Sequence, residues 1–155
     1  MISKEGDAMR TIRNLLNVKG YDIWSTAPDT LVFDALKMMA EKGIGALLAM
    51  EDGKLVGIFS ERDYARKVIL KGKSSKLTPV REIMNSRVIT VTPDVPVKTA
   101  LALMNEKHIR HLPVVEGEQL VGIVSIGDLV NAIIAEQNEL IDKLEGYILK
   151  NTSLT

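Results

Sequence analysis

Slid along itself by 65 positions, the sequence matches itself. Residues 28–63, PDTLVFDALKMMAEKGIGALLAMEDGKLVGIFSERD, fall on residues 93–128, PDVPVKTALALMNEKHIRHLPVVEGEQLVGIVSIGD, without a gap and with 17 identities over 36 positions. A repeat of supersecondary size means that the chain is built as two copies of one unit. Each copy opens with a short extended segment, Ile23–Thr26 or Val88–Val91, followed by Pro-Asp. Proline suits a first helical turn and aspartate the positive end of a helix, so Pro28-Asp29 and Pro93-Asp94 are expected to open helices. Val32, Ala35, Leu36 and Met39, with their counterparts Val97, Ala100, Leu101 and Met104, then repeat at helical spacing. Ala46–Met50 and Leu112–Val115 read as buried strands. Asp52-Gly53 and Gly117-Glu118 turn the chain back into Leu55–Phe59 and Leu120–Val124. Helices starting near Arg62 and Gly127 close each copy, so the order is β-α-β-β-α, twice, and the fold class is α/β of the α+β kind.

Boundaries follow from the same alignment: an N-terminal segment and helix over 1–17, a first repeat over 18–70, a polar linker and helix over 71–84, a second repeat over 85–137 and a helical extension over 138–155. Thr11–Leu16 and Val80–Met84 take equivalent places ahead of the two repeats. Beyond the second repeat, Val130, Ile133, Ile134, Leu140, Ile141, Leu144 and Ile148 form an apolar stripe of helical period. That stripe either folds back on its own chain or meets a second copy. The dimer is the expected outcome, because a lone helix of that length is marginal in water.

Composition narrows the class of function. Twenty basic and twenty acidic side chains cancel in the 155 residues, leaving no electrostatic footprint for nucleic acid or an anionic membrane. Lys4, Glu5, Gly6, Asp7 and Arg10 argue against a signal peptide, and no apolar run approaches the roughly 20 residues of a membrane span. A soluble, cytoplasmic protein is expected. The absence of cysteine removes disulfides, thiolate zinc sites and cysteine nucleophiles together. His108 and His111 are the only histidines, too few for a zinc site, and no phosphate loop or nucleophile elbow is present. No catalysis and no metal are expected.

The motif shared by both copies is Gly-x-x-Ser-x-x-Asp: Gly57, Ser60 and Asp63, then Gly122, Ser125 and Asp128. The glycine would let backbone approach a ligand closely. The serine stands at a strand-to-helix junction, where free N–H groups favour an anion. The aspartate, one turn on, can accept two hydrogen bonds from neighbouring hydroxyls. A cis-diol beside a phosphate describes a ribonucleotide. The same spacing is also a helix N-cap with an acidic first turn, a purely structural device, and the motif by itself does not choose between them.

The repeat order, the doubled motif and the stretch HIRHLPVVEGEQLVGIVSIGDLV together resemble the tandem cystathionine-β-synthase (CBS) domain pair, the Bateman module, over about residues 11–136. EKGIGALLAMEDGKLVGIFSERDYARKV is similar to small stand-alone bacterial CBS-pair proteins associated with signal transduction. The resemblance implies a pseudo-two-fold arrangement of the repeats, with flanking helices, around two clefts for adenosine compounds: AMP, ADP, ATP, S-adenosylmethionine or NAD. It implies that Asp128 and Asp63 hold a ribose diol, with Ser125 and Ser60 near the ribose-phosphate. Arg110 and His111 align with Gly45 and Ala46, so the resemblance gives the second site a cationic pair for phosphate that the first site lacks. Gly45 and Ala46 would flank adenine in the second site, and Leu112 and Pro113 would do so in the first. Arg62 would serve phosphate at the first site, where Glu61 repels a polyphosphate, while Arg66 and Lys67 read as a solvated helix face. Neither copy has threonine at the serine position, a departure from many nucleotide-binding members. The expected function is regulatory, with a ligand-induced shift read by an effector protein that the sequence does not name; the alternative is a ligand-free dimerisation module.

Overall fold

The computed structural model describes residues 10–152, so residues 1–9 of the N-terminal segment and 153–155 of the C-terminal extension lie outside the described residues. Two compact units result, each built around one repeat. One comprises residues 22–89; the other joins the described residues from 90 onward to residues 10–21.

In the unit of the first repeat, β1 (Ser25–Thr26) runs parallel to β2 (Ala46–Glu51), which pairs antiparallel with β3 (Lys54–Ser60). Helix α2 (Val32–Lys42) lies between β1 and β2 in sequence, and α3 (Glu61–Tyr64) continues through a π-helical turn over Ala65–Ile69. The hairpin turns through Asp52 and Gly53, both left-handed at φ 52° and 75°, which is what a two-residue type I′ turn requires. Val32, Ala35 and Met39 line one face of α2 and are buried against Leu47, Ala49 and Phe59 of the sheet, with Val68, Val80 and Ile83 closing the core.

The other unit repeats this plan with α4 (Val97–Lys107), β4 (His111–Glu116), β5 (Gln119–Ser125) and α5 (Ile126–Thr152). Its hairpin carries the same register irregularity one repeat later, between Val114 and Val115 where the first has Ala49 and Met50. The extended segment before Pro93 contributes a single parallel bridge, Val91 to Val114. Helix α1 (Ile12–Lys19) packs in this unit, capped by Thr11 and Asn14, which hydrogen-bond to each other's backbone N–H.

Two expectations are corrected here. Pro28-Asp29 and Pro93-Asp94 form turns, and the helices open later, at Val32 and Val97. The carbonyls that a helix would use internally are taken by another segment: Pro28 and Thr30 accept from the Arg81 and Val80 amides, and Pro93 and Val95 accept from those of Arg13 and Ile12. Residues 80–84 in turn hold only a short 3-10 turn, Val80–Glu82, where a helix was expected.

These pairings show an exchange. The segment that leads into the second repeat covers the first, and α1, which leads into the first repeat, covers the second. Arg81 spans Asp29 and Glu51 at 3.1 and 2.6 Å, and Arg13 spans Asp94 and Glu116 at 3.4 and 2.8 Å. The cover also accounts for the motif glycines, each of which lies under a side chain of a leading segment. A Cβ on Gly57 would collide with Met84 Sδ, and one on Gly122 would lie 3.0 Å from the Leu16 methyls.

Helix α5 does not fold back. It is continuous over 27 residues, and every residue from Leu140 to Lys150 is exposed. Among the described residues, no helix is long and apolar enough to cross a membrane.

Candidate functional site

Each shared motif lies where a strand hands over to a helix. Ser60 ends β3 in an extended conformation (φ −123°) and its Oγ accepts from the Asp63 N–H, while Asp63 Oδ2 accepts from the Ser60 N–H at 2.9 Å. Ser125 ends β5 likewise: the Asp128 N–H donates to Ser125 Oγ at 3.1 Å, and the Ser125 N–H donates to Asp128 Oδ2 at 2.8 Å. Both motifs are therefore reciprocal caps, each serine and aspartate satisfying the other's backbone donor. The structural reading of the motif holds, and it leaves each aspartate half-buried at a helix mouth.

The sheet brings the neighbouring residues alongside. His111 pairs with Ser125 and Ala46 with Ser60 in equivalent register, and the Ile126 and Glu61 amides donate to Arg110 and Gly45 carbonyls at 2.8 and 3.1 Å. Arg110, His111, Ser125 and Asp128 thus gather in one unit, with Arg110 exposed and His111 half-buried. In the other unit Gly45 and Ala46 sit beside Ser60, Arg62 and Asp63. Leu112 and Pro113 are buried in β4 opposite Val124 and Ile123.

The aspartates differ in their cations. Lys67 Nζ reaches Asp63 Oδ1 at 3.3 Å from one turn along the same helix and also donates to the Ile83 carbonyl at 3.0 Å. Lys67, expected on a solvated helix face, is 44% exposed and is also tied into the motif. The pair is an i,i+4 contact legible from spacing. Asp128 takes its cation from α1, with Lys19 Nζ on Oδ2 at 2.7 Å. Sequence reasoning missed Lys19, and no local signal marks it, since it sits in the other leading segment.

These surroundings set the protonation states. Burial alone would push the Asp128 carboxyl up, but hydrogen bonds from Lys19 and Ser125 overcome it and hold the pKa below the ordinary aspartate value. His111 is pushed below the usual imidazole value, chiefly by burial and further by Lys19 and Arg110, against an opposing pull from Asp128. At neutral pH the second motif thus presents an ionised carboxylate beside a neutral imidazole. Among the described residues, no group of three or more His, Cys, Asp or Glu side chains could hold a metal ion.

The geometry has relatives. A model of the CBS domain matches residues 18–70 and 80–135. The mitochondrial CBS domain-containing protein CBSX3 of Arabidopsis thaliana is 40% identical over 157 residues, covering 95% of this chain and 76% of its own. A CBS-domain protein of Burkholderia ambifaria, named provisionally for signal transduction, shares 47% identity and superposes with a TM-score of 0.79 over 82% of this chain and 96% of its own. The CBS domain pair of protein MJ0100, in complex with 5′-methylthioadenosine and S-adenosylmethionine, is 26% identical with a TM-score of 0.72 over 81% of this chain and 97% of its own.

Proposed function

The chain belongs to the CBS-domain family, and from that premise we propose that it is a non-catalytic regulatory module whose input is an adenosine ligand of the AMP type. AMP, ADP and ATP are the first candidates, with NAD and S-adenosylmethionine next. The observation that carries this reading is the Ser125–Asp128 cap with Arg110 and His111 drawn up beside it. Asp128 is ionised and accepts from the ribose diol, and Ser125 lies at the ribose-phosphate. Arg110 supplies charge-assisted donors to phosphate, which makes the second motif the tighter site. Asp63, Ser60 and Arg62 form the weaker one. Ligand shifts the protein towards the conformation it binds best, and an effector protein reads that conformation.

The module works as a homodimer. The α5 stripe supports this: Ile134, Ile141 and Ile148 recur every seven residues and are each about half exposed, at 48, 50 and 60%. A second copy's α5 would cover them.

Thermal unfolding against AMP, ADP, ATP, NAD and S-adenosylmethionine tests the input. Ligand at about 100 times its dissociation constant adds roughly 2.7 kcal/mol, and a chain of this size then melts about 5–10 °C higher. Asp128→Ala is expected to weaken binding by about 1–3 kcal/mol. No shift with any of the five compounds leaves the caps as caps and the chain as a ligand-free dimerisation module.

A further inference from the structure

The carboxylate proposed to hold the ribose is already engaged. Asp128 Oδ2 receives the Ser125 N–H at 2.8 Å and the Lys19 ammonium at 2.7 Å, and the same ammonium donates to the Ile123 carbonyl at 2.6 Å. A cis-diol that donates to both oxygens of a carboxylate needs Oδ2 as well as Oδ1. Its two hydroxyls therefore meet an ammonium that holds one of the two acceptors they require. Lys19 is the last residue of α1, which ends at Gly20 in an extended, positive-φ conformation (φ 107°). Its side chain is 35% exposed, so water can reach the ammonium when it parts from Asp128, and parting the pair is the cost that a ligand must meet.

The first motif lacks this arrangement. Its lysine stands on the same helix as Asp63, touches Oδ1 at 3.3 Å and leaves Oδ2 to the Ser60 N–H and hydroxyl. Displacing Lys67 would free no other helix. Displacing Lys19 undoes the ionic tie between α1 and the motif.

We propose that Lys19 is an internal competitor for the adenosine ligand at Asp128, so that it sets the affinity of the second motif and couples occupancy to loosening of the α1 C-terminus beyond the buried Leu16. This rests on the nucleotide-binding reading above. In the empty protein Lys19 neutralises a half-buried carboxylate. In the occupied protein the diol replaces it at Asp128, water fills the vacated place on the ammonium beside the Ile123 carbonyl, and the α1 C-terminus loses its ionic link to Asp128.

Calorimetry with AMP and with S-adenosylmethionine, in an Asp63→Ala background that silences the first motif, tests the competition. Lys19→Met is expected to bind the ligand about threefold to tenfold more tightly, and Lys19→Arg to restore the original affinity. Amide exchange over residues 18–20 of the protein with Lys19 intact is expected to accelerate on ligand binding. Tighter binding by Lys19→Met, or binding by that variant alone, supports the competition. Equal or weaker binding by Lys19→Met, or unchanged exchange in α1, overturns it while leaving nucleotide binding in place. No binding of either compound by any of these proteins overturns the nucleotide reading of the second motif for these ligands, and the competition falls with it.

Discussion

Arg81 lies across Asp29 and Glu51 in the unit of the first repeat, and Arg13 lies across Asp94 and Glu116 in the other. Ile83 and Leu15 are buried beside them at equivalent points of the two leading segments. The packing problem is thus solved twice in one way. The charge problem is not. Asp63 is neutralised from its own helix and Asp128 from α1, and a buried Ala46 stands where the second repeat has His111. Duplication preserved what holds the sheets together and let the surroundings of the two aspartates diverge, as expected if they answer to different ligands or different strengths of one.

The strongest way to break the comparison is to remove the cover. Leu16 is 1% exposed and fills the space above Gly122, so Leu16→Ala is expected to cost about 2–5 kcal/mol in urea unfolding. Met84 covers Gly57 from a partly buried position with an adaptable side chain, so Met84→Ala is expected to cost less. Equal losses would mean that the two covers are interchangeable.

A middle-sized test lies at the helix ends. Gly43 closes α2 at φ 65°, and His108 closes α4 in the same left-handed conformation at φ 56°. A side chain there costs about 1 kcal/mol. Gly43→Ala is therefore expected to destabilise, and His108→Gly to stabilise, by about that amount in the same unfolding assay. If His108→Gly is neutral or destabilising, contacts of the imidazole offset the backbone strain.

The smallest effect sharpens the electrostatic contrast. Because the folded pKa of His111 lies below its free value of 6.5, its contribution to stability is present above pH 6.5 and fades as pH falls through the folded value. Asp128, also depressed, contributes throughout that range and loses its share only in acid, below the ordinary aspartate range. Urea midpoints measured from pH 7.5 to 5.5 should therefore decline, and His111→Asn should flatten the slope. The AMP affinity of the protein relative to His111→Asn should move the opposite way, rising as pH falls, because phosphate favours the imidazolium while its own titration is common to both proteins. An unchanged slope in His111→Asn would remove the histidine from both accounts.

Much of this was legible from residues alone. The hairpins followed from Asp52-Gly53 and Gly117, the helical cores from the spacing of Val32, Ala35 and Met39, and the caps from Ser-x-x-Asp, because each is decided within a few residues. What was not legible depends on distant chain. Nothing near Pro28 says that its carbonyl will be claimed by residue 81, so a turn was read as a helix start. Nothing near Gly57 says that Met84 will sit on it, so the packing role of this glycine was not foreseen. Lys19 escaped for the same reason, since its partner lies in the other half of the sequence.

The exchange of leading segments bears on how such a chain can arise. A polypeptide with one repeat and its own leading segment would present an uncovered sheet and a cover made to fit another copy. Two such polypeptides trading arms would satisfy each other, as in domain swapping. Joining them end to end gives the connectivity seen here, so the 65-residue internal echo can be taken as the covalent fossil of an arm-exchanged dimer.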